Sequence, residues 1–132
     1  MDATSIFGGG NIVAVIDIET DQSVVTITPV REATKIVFPH VANEHGFFTD
    51  IAISVVGSAA AVAIEVSDVS GIQSASGAVS VPANGQVARL LSELIPGFGN
   101  QSGGYVRLIP DQPVVAWEIY GTATAMASGP PL

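Results

Sequence analysis

His40 and His45 are the two histidines of this chain, with Glu44 between them and Asp50 a few positions on. Neutral imidazoles beside carboxylates are the donor set of zinc sites, so His40 and His45 are candidate metal ligands. Their His-x4-His spacing on a strand-to-loop segment is not a standard ligand pair, and the sequence offers no evident third ligand. Loop histidines satisfied by their surroundings are the expected reading. Asp17, Glu19 and Asp21 alternate, which puts three carboxylates on one side of a strand end. Such an oxygen cluster is a calcium candidate, although the spacing and glycine of an EF-hand loop are absent. A solvated turn is the preferred reading there.

Catalytic patterns are weak. The serines include no Gly-x-Ser-x-Gly elbow, and Gly8-Gly9-Gly10 is not followed by Lys-Ser/Thr and a helix, as phosphate cradling requires. Glu65, Glu93 and Glu118 fall on separate elements, so no carboxylate pair across a cleft is expected. The chain therefore reads as a non-enzyme with no catalytic residues and no resident cofactor. Trp117 and Tyr105 are candidate glycan-stacking residues if exposed, and cross-strand core packing if buried. Asn100-Gln101-Ser102 is a formal glycosylation sequon.

Composition limits the partners. Among 132 residues, 48% are hydrophobic and only 12% charged, against about 25% charged in ordinary soluble domains. Mean hydropathy is +0.51. The apolar runs, such as residues 59–64, are far shorter than the ~20 residues of a spanning helix, so no membrane insertion is expected. Part of so apolar a surface is expected to lie against other subunits or domains. Net charge is −8 with four Lys and Arg in all, which disfavours nucleic acid and anionic membranes. The absence of cysteine excludes disulfides, thiolate sites and Cys nucleophiles. Residues 1–10 lack the basic and apolar regions of a signal peptide.

The elements that must position these residues are strands. There are 18 Val and 13 Ile against 5 Leu, and β-branched side chains fit a pleated sheet better than a helix. Short alternating runs separated by turn residues predict an all-β, antiparallel β-sandwich of immunoglobulin-like or jelly-roll-like type. Residues 12–18 and 24–28 read as a hairpin. Residues 35–41 read as an edge strand interrupted by Pro39. Residues 49–56 and 61–67 alternate and read as a hairpin about Gly57-Ser58, and residues 78–81 as a short strand closed by Pro82-Ala83-Asn84-Gly85. Val87, Leu90, Leu91 and Leu94 share a helical face, which predicts one short helical segment near 87–95. Residues 103–121 read as a closing hairpin about Pro110-Asp111-Gln112-Pro113. A faint echo of it, Asp21-Gln22-Ser23-Val24-Val25, suggests the closing hairpin of a preceding unit.

Phe38-Pro39-His40-Val41-Ala42, then Gly46-Phe47-Phe48-Thr49, Pro82-Ala83-Asn84-Gly85, Leu90-Leu91-Ser92-Glu93-Leu94 and Gly104-Tyr105-Val106-Arg107 through Tyr120-Gly121 follow one another over residues 35–121. That succession resembles a Phe-Pro-His-type β-sandwich repeat of secreted bacterial multidomain and surface proteins. The chain departs from the pattern at Val56-Gly57, where the family often has Asn-Pro. The resemblance implies an extracellular or cell-surface, frequently tandem, non-enzymatic module, with His40 as a fold-signature residue.

The expected organisation is an N-terminal tail and hairpin over 1–34, the sandwich module over 35–121 and a C-terminal tail over 122–132. The tails and edge strands are expected to pair with copies of the chain or with adjacent β-sandwich domains, forming a structural module or fibre subunit. The alternative is a carbohydrate- or ligand-binding sandwich using Trp117, Tyr105 or the 43–50 loop.

Overall fold

Alternating Ala60, Val62, Ile64 and Val66 are buried while Ala61 and Ala63 face solvent, and that two-residue period sets the architecture. In a computed structural model, residues 2–7, 12–19, 24–27, 30–129, 131 and 132 are described, with side chains from Glu32 onward except at 129. Twelve strands and one short helix are named among them. An N-terminal sheet holds β1 (Asp2–Phe7), β2 (Ile12–Glu19), β3 (Val24–Ile27) and β4 (Val30–Arg31), with β2 pairing antiparallel to each of the others.

The sandwich consists of two four-stranded antiparallel sheets. The first takes β5 (Ile36–Phe38), β7 (Ala60–Ser67), β8 (Gln73–Val81) and β10 (Tyr105–Pro110) in the order β5-β10-β7-β8. The second takes β6 (Phe48–Ser54), β9 (Gln86–Leu90), β11 (Val115–Thr122) and β12 (Ala125–Gly129) in the order β12-β11-β6-β9. Between them lies a core that includes Phe38, Ile51, Ile53, Ile64, Val106 and Leu108, each completely buried. Each such aliphatic side chain contributes about 1.5–3 kcal/mol by leaving water.

The all-β sandwich is as expected, and residues 12–19 and 24–27 do pair as a hairpin. Residues 20–23, which carry the Asp21 echo, lie outside the described residues. Both other expected hairpins are corrected. β6 and β7 lie in different sheets, and so do β10 and β11. Alternation identifies a strand's buried face but does not distinguish a neighbour in the same sheet from one across the core. Asp111 holds the last connection at its start, its carboxylate accepting from Ala61 N–H at 2.8 Å while its own N–H donates to Ala61 C=O at 3.0 Å. The chain then crosses, and Val114 exchanges both backbone hydrogen bonds with Ala33.

The helical segment also proves shorter than expected. Residues 86–90 form β9, in register with β6 from Asp50↔Leu90 to Ser54↔Gln86, and only α1 (Leu91–Leu94) is helical. Pairing to β6 overrides the leucine periodicity in the first half of that segment. Leu91 and Leu94 are buried, which closes the side of the sandwich between β8 and β9. β8 is longer than the expected 78–81 because its Ser- and Gly-containing first half also pairs with β7. The C-terminal segment 125–129 pairs with β11 of its own chain.

Candidate functional site

Phe38, Pro39 and His40 each have a separate task. Phe38 fills the core, Pro39 is exposed and follows the last residue of β5, and His40 turns inward over the end of the second sheet. The His40 ring stacks on Tyr120, with centroids 3.7 Å apart and planes 26° apart. Its Nδ1 lies 3.5 Å from Oε1 of Glu118, a carboxyl with no exposed surface. Tyr120 and Glu118 sit two apart on β11 and therefore project from the same face, the one that also carries core residue Ala116.

Neither Glu118 oxygen nor His40 Nδ1 has a hydrogen-bond partner among the described residues. Burial pushes the Glu118 carboxyl up to about 8, and burial lowers His40 from its ordinary value. Both groups are thus driven toward their neutral forms. The carboxyl member of the pair has no exposed surface, and the imidazole beside it is partly exposed. Asp50, on the opposite face of the same sheet, is pushed up to about 6, first by burial and then by the charge of Glu93.

The approach to His40 is held by Thr49. Its hydroxyl accepts from Ala42 N–H at 3.0 Å and donates to Ala42 C=O at 2.8 Å. His45, at φ 54°, and Gly46, at φ 82°, occupy the centre of a tight turn closed by Phe47 N–H on Glu44 C=O at 2.9 Å. His45 is thereby a turn residue, in a backbone region that histidine enters more readily than most side chains. Its ring is largely exposed, 3.9 Å from the Glu44 carboxylate.

The remaining sequence candidates separate. Among the described residues, no group of three or more His, Asp or Glu side chains is placed to hold a metal ion. Asp17 and Glu19 lie on β2 with only their backbone described, and Asp21 is outside the described residues. Trp117 is completely buried, which is the buried one of its two readings and leaves no indole face for a glycan. It projects from β11 on the face turned away from the core, beside Ala52 of β6. β3 contacts β12 and β4 contacts β11, which brings the N-terminal sheet against this part of the molecule. Tyr105 is half-buried, with the Arg107 guanidinium 5.9 Å from its ring centroid and Arg107 in turn 3.3 Å from Glu65. Tyr105 and Trp117 lie on different sheets and are not cross-strand partners.

Sequence reasoning missed Glu118. The signal was available: Val114-Val115-Ala116-Trp117-Glu118-Ile119 is a run apolar on both faces, the pattern of a strand buried on both sides. A lone carboxyl inside such a run must be buried as well.

The fold and this site define an all-β sandwich with a partly exposed histidine set against a buried carboxyl. No family model matches the chain, and no curated protein matches it at a significant level. Among solved structures it is similar to one described as "Crystal Structure of Thermotoga maritima 1070", with a TM-score of 0.61 and 15% identity. That likeness covers 74% of this chain and 92% of the other, and it concerns the fold alone.

Proposed function

We propose that this chain is a non-enzymatic structural module of the extracellular or cell-surface kind, related to the Phe-Pro-His repeats, that associates with copies of itself or with adjacent β-sandwich domains. One observation carries the reading: the residues of the resembling motifs act on the fold itself. Phe38 plugs the core, His40 stacks on Tyr120, and Thr49 ties down Ala42. Asn84 exchanges hydrogen bonds with Gly57, its side-chain oxygen accepting at 2.8 Å and its N–H donating at 3.0 Å. Gly104, at φ +96°, leaves no room for a side chain against the Ser67 carbonyl. A signature spent on folding is what a repeated building block needs.

Association is supported by the surface. Val56, Val69 and Ile72 are exposed by 59%, 77% and 66%, on a chain of which only 12% of residues are charged. A polymer is one expected product, since head-to-tail contacts that do not close propagate. The test is the solution mass of the intact chain by light scattering over a wide concentration range, with electron microscopy of the same samples. Assemblies that grow with concentration are expected. A monomer under all conditions, with no polymer on the grids, overturns the proposal.

A further inference from the structure

The sandwich has four edge strands, and three of them are guarded. β5 is three residues long, lies between Lys35 and Pro39, and its Val37 C=O accepts from Leu132 N–H at 2.8 Å. β9 carries exposed Arg89 and runs straight into α1. β12 is five residues long, is touched by β3, and precedes Pro130-Pro131. Short length, charge, proline and covering segments are the usual means by which edges are kept from pairing.

β8 lacks the charge, the proline and the shortness that guard the others; it bulges at Ser74, and Leu94 and Ile95 pack beside Gly77 on its core side. It is nine residues long, Gln73-Ser74-Ala75-Ser76-Gly77-Ala78-Val79-Ser80-Val81, with neither a charge nor a proline. It pairs with β7 on one side, and among the described residues no backbone group pairs with its other side. An antiparallel strand directs the N–H and C=O of alternate residues outward, so about four residues of this strand offer both groups to a partner.

We propose that β8 is the contact strand of a two-fold dimer, pairing antiparallel with β8 of a second copy and joining two four-stranded sheets into one. This rests on the self-association proposed above and names the edge that performs it. The strand is complementary to itself. Pairing centred on Gly77 sets Ser74 opposite Ser80, Ala75 opposite Val79 and Ser76 opposite Ala78. The first and third pairs lie on the solvent side of the sheet and the second on the core side, as the alternation of exposure along β8 requires.

Two further observations select a second copy as the occupant. Each chain carries a net charge of −8, so copies approach most closely where a strand has no charge of its own. A groove of about 430 Å³ also runs beside Ser74–Ser76, lined in addition by residues 95–101, among them Ile95, Phe98, Asn100 and Gln101. In the centred register the incoming Val79, half-buried in its own subunit, stands over this groove opposite Ala75. Such a joint is closed, so any polymer needs a second, different contact.

The test compares the intact chain with a Ser76→Lys/Ala78→Lys variant, which sets lysine against lysine on both sides of the two-fold axis. Both are run by analytical ultracentrifugation, with circular dichroism to verify the fold. A Ser76→Cys/Ala78→Cys variant, in a chain that otherwise lacks cysteine, is oxidised in parallel. The expected result is at least a tenfold weaker dimer for the lysine variant and a disulfide-linked dimer for the cysteine variant. If the intact chain associates and the lysine variant, still folded, associates equally well, the β8 contact is overturned while self-association stands. Disulfides mapped by mass spectrometry as joining position 76 to 76 or 78 to 78 of the second copy, instead of 76 to 78, overturn the register centred on Gly77. A monomeric intact chain overturns both proposals.

Discussion

His40 Nδ1 stands 3.5 Å from Glu118 Oε1, with the imidazole stacked on Tyr120 and the carboxyl wholly shielded from solvent. Burial raises Glu118 from 4.5 to about 8, so the folded state keeps a proton that the unfolded chain has already lost. The stability it contributes is complete below pH 4.5 and is lost as pH rises through 8. His40 is lowered from 6.5, so its contribution has the opposite sign and grows as pH rises toward 6.5. Above pH 6.5 only the Glu118 effect remains. Glu118→Gln is therefore expected to flatten the fall in stability between pH 6.5 and 8.5. At pH 8.5 the variant should exceed the parent by about 3–5 kcal/mol, from the size of the shift. Urea unfolding at a series of pH values measures it, and parallel profiles for the two proteins would refute it.

Asp50 titrates in a different window. It is raised from 3.8 to about 6, by burial first and by Glu93 second. Its stabilising proton is lost as pH rises from about 4 to 6. Asp50→Asn should gain about 1–3 kcal/mol over the parent by pH 7, with no further gain above it. Glu93→Gln should shift the Asp50 titration downward in a carbon-detected NMR experiment. An unmoved titration would mean that Glu93 does not act on Asp50.

The strands and their buried faces were legible in the sequence because a side-chain period of two is a local property. Residues 49–56 were expected to alternate, and β6 sets Ile51 and Ile53 on one face and Ala52 and Ser54 on the other. What covers each face was not legible. Ala52 and Ser54 are as buried as their neighbours, because the second sheet is covered on both sides. Sheet membership was equally hidden: β10 and β11 flank a turn-like Pro-Asp-Gln-Pro, yet that connection crosses the core. His40 and Glu118 are 78 positions apart in chain number, and only the meeting of the β5 end with β11 joins them.

Two glycines with positive φ separate backbone strain from steric exclusion. Gly46, at φ +82°, has open space where a Cβ would stand, whereas at Gly104, at φ +96°, that Cβ would meet the Ser67 carbonyl and the Gln101 side chain. Gly46→Ala is expected to cost about 1 kcal/mol, the conformational penalty alone. Gly104→Ala should cost at least about 3 kcal/mol, because the β7–β10 pairing must also shift. Thermal unfolding of both variants decides it, and equal losses would mean that the Ser67 carbonyl yields freely.

Thr49 ties the loop that carries His40 to the sheet that carries Tyr120. It is 1% exposed, and its hydroxyl serves both backbone groups of Ala42, itself only 9% exposed. Thr49→Val keeps the shape and removes both hydrogen bonds. It leaves a buried N–H and C=O unpaired, with a cost of about 2–4 kcal/mol. Thr49→Ser keeps the hydroxyl and loses one methyl group, so about 1 kcal/mol is expected. The two variants should also differ in place: Thr49→Val should speed amide hydrogen exchange at Ala42 and Asn43, while Thr49→Ser leaves it nearly unchanged. Because the same loop sets the imidazole on Tyr120, freeing it should bring the His40 titration back toward 6.5, readable from its ring proton shifts. A His40 titration unchanged in Thr49→Val would show that stacking on Tyr120, and not the Thr49 tie, holds the imidazole against Glu118.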